Sequence, residues 1–193
     1  MDDFLFYLRL GFDHIVDPKA YDHLLFLVAI TLPFVYKQLR TLLLLVTAFT
    51  LGHTLSLWAG SAGVIRFSSS WVEFLIPLTI LLAALHTLYW NKRLAQKTSA
   101  PYLVLTTFFG IIHGLGFSGY FAMVFPQKSV GLPLLYFTVG IELAQLLIVL
   151  IVLLLNSILS GFFGVSKRDR LLVGSSIIIG ILVPILVASI SAL

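Results

Sequence analysis

Residues Leu132 to Asn156 read LPLLYFTVGIELAQLLIVLIVLLLN, and Glu142 is the only charged group among them. A helix over this run rises about 37 Å, enough to cross the ~30 Å hydrocarbon core of a bilayer. The rest of the chain has the same character: of 193 residues, 60% are hydrophobic and 10% are charged. Soluble domains carry roughly a quarter charged residues, so water cannot surround this chain on all sides. Further apolar runs lie near residues 21–36, 41–60, 71–90, 101–125 and 171–192, giving six spans with 132–156. The expected fold is an all-α polytopic transmembrane helix bundle forming a single integral membrane domain over residues 1–193. The stretch Phe4 to Val16, apolar with polar breaks, is expected to lie at the interface or to re-enter the bundle.

The chain has no cysteine, which excludes disulfides, thiolate metal sites and cysteine nucleophiles. Its Lys and Arg residues are scattered between apolar runs, so they read as membrane-flanking charges and no nucleic-acid partner is expected. The start Met1-Asp2-Asp3 is acidic and Arg9 interrupts the following run, which argues against a cleavable signal peptide. On one side of the spans lie Lys37, Arg40, Lys92, Arg93, Lys97, Lys167, Arg168 and Arg170; on the other lie Arg9, Lys19, Arg66 and Lys128. That bias places both termini outside.

Ionisable groups within spans are costly unless paired or bound to a metal, so each is a candidate functional group. Asp22, His23, His53, Glu73, His113 and Glu142 fall in the outer half of the six-span reading, and His14 lies just upstream of the first span as a further candidate ligand. His86 falls near the inner end of its span and on another face, which suits a helix–helix hydrogen bond. Asp17 before Pro18 suits a turn. Imidazoles and carboxylates meeting at one level suit a borderline divalent ion such as zinc, nickel, cobalt or iron(II). His23, His53 and His113 are expected to share one coordination sphere, and the cavity around them is expected to exclude His86. Thr47, Thr50 and Thr54, with Thr138 and Gln145, form a polar seam suited to orienting the ligands. Gly110 and Gly114 permit a close helix crossing near His113. The last span has nothing ionisable and reads as structural.

The blocks Gly11-Phe12-Asp13-His14-Ile15, Tyr21-Asp22-His23-Leu24-Leu25, Leu51-Gly52-His53-Thr54-Leu55, Val72-Glu73-Phe74, Ile112-His113-Gly114-Leu115-Gly116 and Gly140-Ile141-Glu142-Leu143-Ala144-Gln145 resemble, in order, those of the HupE/UreJ family of small bacterial membrane proteins. The resemblance implies a multi-pass protein of the bacterial inner membrane and a nickel or cobalt permease, with Asp22-His23 as metal-binding residues. The family's permeases carry a histidine about five residues before the Asp-His pair. Here the nearest is His14, and Ala20-Tyr21 precede the pair, a pattern similar to the family's second branch.

Two mechanisms follow. A permease takes an ion at Asp22, His23 and His53 and passes it to His113 and Glu142. A metal-dependent intramembrane hydrolase acts on a lipid-like substrate with Glu142 or Glu73 as general base. The expected partners are the metal ion and membrane lipid, with a homo-oligomer left open.

Overall fold

The computed structural model describes residues 2–19, 21–65, 67–89, 100–124 and 131–193. Lys92, Arg93, Lys97, Arg66 and Lys128, used in the charge count above, lie outside them, as do residues 90 and 125 at two expected span ends. The described residues form helices α1 (Asp2–Val16), α2 (Tyr21–Thr31), α3 (Leu39–Ser61), α4 (Ser69–Tyr89), α5 (Ala100–Val124), α6 (Gly131–Gly161) and α7 (Lys167–Ile190), and no strand. A 3₁₀ turn at Tyr36–Gln38 leads into α3.

The chain is an all-α polytopic bundle in which five helices, α3 to α7, are long and apolar enough to cross a membrane. The stretch near 21–36, expected as a sixth span, is helical only over Tyr21–Thr31 and falls short of a full-length spanning helix. α2 holds only 11 residues and rises about 16 Å, half a bilayer. Pro33 sets the limit, because its ring disfavours helical backbone at the residue before it. Beyond α2 the chain runs on inside the bundle without helix, and Leu32 and Phe34 are buried. Non-helical backbone at that depth requires a protein partner. The Leu32 carbonyl has one, accepting from Asn156 Nδ2 on α6 at 3.3 Å.

α2 sits centrally, in contact with α4, α6 and α7. Thr87 on α4 donates to the α2 carbonyl of Ala29 at 2.9 Å. Upstream, the expected turn at Asp17-Pro18 is present: Asp17 Oδ1 accepts from Lys19 N at 2.9 Å. α1 packs into the bundle by Gly11 and Ile15, while Phe4, Leu5 and Phe6 are exposed.

Two close crossings position the histidines. Along α3 the small residues Gly52, Ser56 and Gly60 recur every four positions, and along α5 Gly110, Gly114 and Ser118 do the same. A Cβ on Gly52 would strike the Thr107 carbonyl, one on Gly110 the Phe49 carbonyl, and one on Gly114 the His53 carbonyl. Residue numbers rise together across this contact, so α3 and α5 run parallel. In lipid, such backbone-level packing is the main attraction between helices. The second crossing joins α1 to α6: a Cβ on Gly11 would strike the Phe137 carbonyl, and one on Gly140 the Leu8 carbonyl.

Candidate metal centre

The crossings bring four imidazoles from four helices together. His14 near the end of α1, His23 near the start of α2 and His53 on α3 each present a ring nitrogen, all within 4.8 Å of one another. Ring centroids are 4.8 Å apart for His14–His23, 5.8 Å for His14–His53 and 5.7 Å for His23–His53. Three nitrogens at ~2.05 Å from a tetrahedral ion stand about 3.3 Å apart, so small ring movements close the set. His113 on α5 lies beside it, its ring 5.5 Å from that of His23.

Hydrogen bonding sets two of the rings in advance. His23 Nδ1 meets Asp22 Oδ1 at 3.1 Å, and His113 Nδ1 meets the Phe109 carbonyl at 2.8 Å. With Nδ1 engaged as donor, Nε2 keeps its lone pair free for an ion, the arrangement that carboxylate or carbonyl partners impose on metal-binding histidines. The Nε2 atoms of His14, His23 and His113 and both nitrogens of His53 are buried without a hydrogen-bond partner. Each such atom costs about 1–3 kcal/mol if nothing binds it. The donor set therefore fits a borderline divalent ion: several neutral imidazoles, one carboxylate behind them and no sulfur. Phe26, Phe49 and Phe117 wall the rings and keep the local dielectric low.

The cluster opens to a cavity of about 740 Å³ at the end of the bundle where α2 and α4 begin and α5 and α7 end. His14, Asp22, His23 and His113 line it, with Lys19, Ser69 and Glu73, and His53 lies one ring further in. As expected, His86 is not among the lining residues. The opposite wall is apolar, built by Ile76 and Ile80 of α4 and by Leu182, Ile185 and Ala188 of α7. That contribution of α7 was missed in the sequence, where an apolar face toward a cavity reads the same as one toward lipid.

The candidate residues thus fall into three places. The expected trio of His23, His53 and His113 differs from the tightest group, which takes His14 in place of His113. The docking of α1 through Gly11 and Gly140 brings His14 inward, and the bond to Phe109 holds His113 against its own helix. Glu73 is exposed at the cavity wall and accepts from Ser69 Oγ at 2.8 Å. Glu142 is apart from the histidines and from the cavity lining. Its carboxylate accepts from Thr47 Oγ1 at 2.6 Å and from Thr50 Oγ1. The polar seam, expected to hold carboxylates and imidazoles in place, holds the Glu142 carboxylate through Thr47 and Thr50 and otherwise pairs with itself across α3 and α6.

A bundle of apolar helices long enough to cross a membrane, with unpartnered imidazole nitrogens gathered under a cavity, defines an integral membrane protein with a polyhistidine centre. The chain belongs to the HupE/UreJ family: the family described as HupE / UreJ protein matches residues 1–189, almost the whole chain. No curated protein and no solved structure matches it.

Proposed function

We propose that the protein is a divalent transition-metal permease of the nickel/cobalt type in the bacterial inner membrane, loading its ion at His14, His23 and His53, with His113 beside them. The observation that carries this reading is the set of buried imidazole nitrogens without partners at the floor of the cavity. Family membership supports it, because HupE/UreJ proteins are associated with nickel and cobalt transport. The cavity faces outside in this reading, as do both termini. The opposite end carries Lys37, Arg40, Lys167, Arg168 and Arg170, and basic residues collect on the cytoplasmic side. The ion is the cargo, and the protein supplies neutral nitrogen ligands in a dry pocket where hydration is exchanged for imidazole. Protons compete for the same lone pairs, so loading weakens as pH falls.

Elemental analysis of purified protein and nickel uptake by vesicles test the reading together. The expected result is stoichiometric metal and uptake above empty vesicles, both abolished in His53→Ala. Wild-type protein that purifies with metal yet moves none defeats the permease.

The size and one-sidedness of the cavity favour a second reading, a metal-dependent hydrolase of a lipid-like substrate. A bound ion lowers the pKa of water toward neutrality. Glu73 is then the general base, since Glu142 does not line the cavity. Glu73→Gln separates the two: a hydrolase keeps its metal and loses turnover, whereas a permease keeps both metal and uptake.

A further inference from the structure

A second constellation lies on α3 and α6, outside the histidine cluster. Glu142 is eleven residues into α6, so its carboxylate stands about 16 Å along the helix, at membrane depth. No Lys or Arg pairs with it among the described residues, whose ion pairs are Arg9–Asp13 and Asp22–His23. The helices packed on α6 carry few other charges. On α1, Arg9 is held at the surface by Asp13, Asp2 and Asp3 stand at the helix start, and His14 belongs to the metal cluster. On α2, Asp22 and His23 hold each other; on α3, Arg40 is at the far end and His53 is in the cluster. An unbalanced carboxylate in a spanning helix costs several kcal/mol unless a positive charge reaches it.

Gln145, one turn further along α6 and fully buried, provides an independent sign. Its Oε1 lies 2.7 Å from Thr50 Oγ1, and its Nε2 has no partner. Turning the amide over satisfies Nε2 and orphans Oε1, so one buried polar atom of Gln145 stays unpaired in either pose. Thr50 has one hydroxyl hydrogen but three acceptors in reach: Glu142 Oε2, Gln145 Oε1 and the Val46 carbonyl. The group has too many acceptors and lacks one positive charge.

We propose that Glu142, Thr47, Thr50 and Gln145 bind one monovalent cation, a proton or a sodium ion, and that this cation is the coupling ion for metal movement. The coupling half of this proposal rests on the permease reading; the binding half does not. An all-oxygen set with one negative charge suits a hard monovalent ion and leaves the borderline metal to the imidazoles. The link between the sites is α3. Thr50 and His53 are three residues apart on it, so the pull of Glu142 on the α3 hydroxyls, set by cation occupancy, biases the position of His53.

Two measurements on the full-length protein test this. Binding is read first, without transport, as the melting temperature of purified wild type and Glu142→Gln in sodium chloride against choline chloride, and across pH. A tenfold excess of cation over its Kd raises the melting temperature by about 3–6 °C. The expected result is such a rise with sodium or with acid in wild type, absent in Glu142→Gln, which keeps the shape and loses the charge. Sodium dependence identifies sodium, and acid dependence alone identifies the proton. Identical profiles in the two proteins overturn the site. Nickel uptake is then measured with a sodium or pH gradient imposed across the vesicle. Uptake that follows the gradient in wild type and ignores it in Glu142→Gln, with nickel content unchanged, supports coupling; wild-type uptake indifferent to both gradients overturns it. Absence of any uptake defeats the permease and coupling together, leaving the melting data to decide cation binding.

Discussion

The histidine cluster and the Glu142 group share helix α3 yet present opposite chemistry. At the first, nitrogens from α1, α2 and α3 crowd together with almost no hydrogen bonds among them, beside a cavity of about 740 Å³. At the second, oxygens from α3 and α6 bond one another closely, and none of them lines that cavity. The imidazole nitrogens, Thr50 and Gln145 are buried and Glu142 is half-buried, so both groups must be satisfied, but by different means. The oxygens bond one another, but acceptors outnumber hydroxyl hydrogens and one positive charge is missing. The Nε2 atoms of the imidazoles have no partner, and lone pairs gathered so closely require something between them. The difference shows that polar residues at one membrane depth need not form one site.

The comparison breaks most completely if the histidines prove dispensable. His53→Ala is expected to reduce metal content to background, a larger effect than the ~10–100-fold loss typical of an outer partner, while Glu142→Gln keeps its metal; elemental analysis of both proteins decides it. Comparable losses in the two would merge the sites.

Gly11→Leu tests whether α1 is a structural part of the centre. The new side chain meets the Phe137 carbonyl and displaces α1, and His14 with it. A backbone clash of ~3 kcal/mol corresponds to about 100-fold weaker metal binding, measured by nickel titration, with the remaining helices still folded by circular dichroism. Unchanged affinity would remove His14 from the ligand set.

Asp22→Asn sharpens the same comparison more gently. The carboxylate orients His23 through Nδ1, so its loss is expected to weaken nickel binding about tenfold, with the stoichiometry kept. The smallest effect is expected at His86, half-buried on α4 and away from the cavity. His86→Ala should leave metal content untouched and alter stability by no more than about 0.5 kcal/mol.

Much of this was legible in the sequence because lipid imposes one-dimensional rules. A run such as Leu132 to Asn156 must be a helix, since no other single segment satisfies its own backbone in hydrocarbon. The same rule makes Glu142, His53 and His113 conspicuous, and the block pattern from Asp13-His14 to Glu142 marks the HupE/UreJ family. Apolar content could not reveal where a helix stops short. The stretch 21–36 is apolar enough to cross, and only its tertiary place, with Asn156 capping the Leu32 carbonyl, shows a half-length helix inside the bundle. Depth along a helix was readable from residue counts, but azimuth between helices was not. Which imidazoles meet depends on glycine-level crossings, α3 on α5 and α1 on α6, that set helix rotation through backbone contacts far apart in the chain. Sequence spacing thus determined the candidates, and packing, acting through the position of the missing Cβ atoms, decided that His14 joins His23 and His53 while Glu142 turns to the hydroxyls of α3.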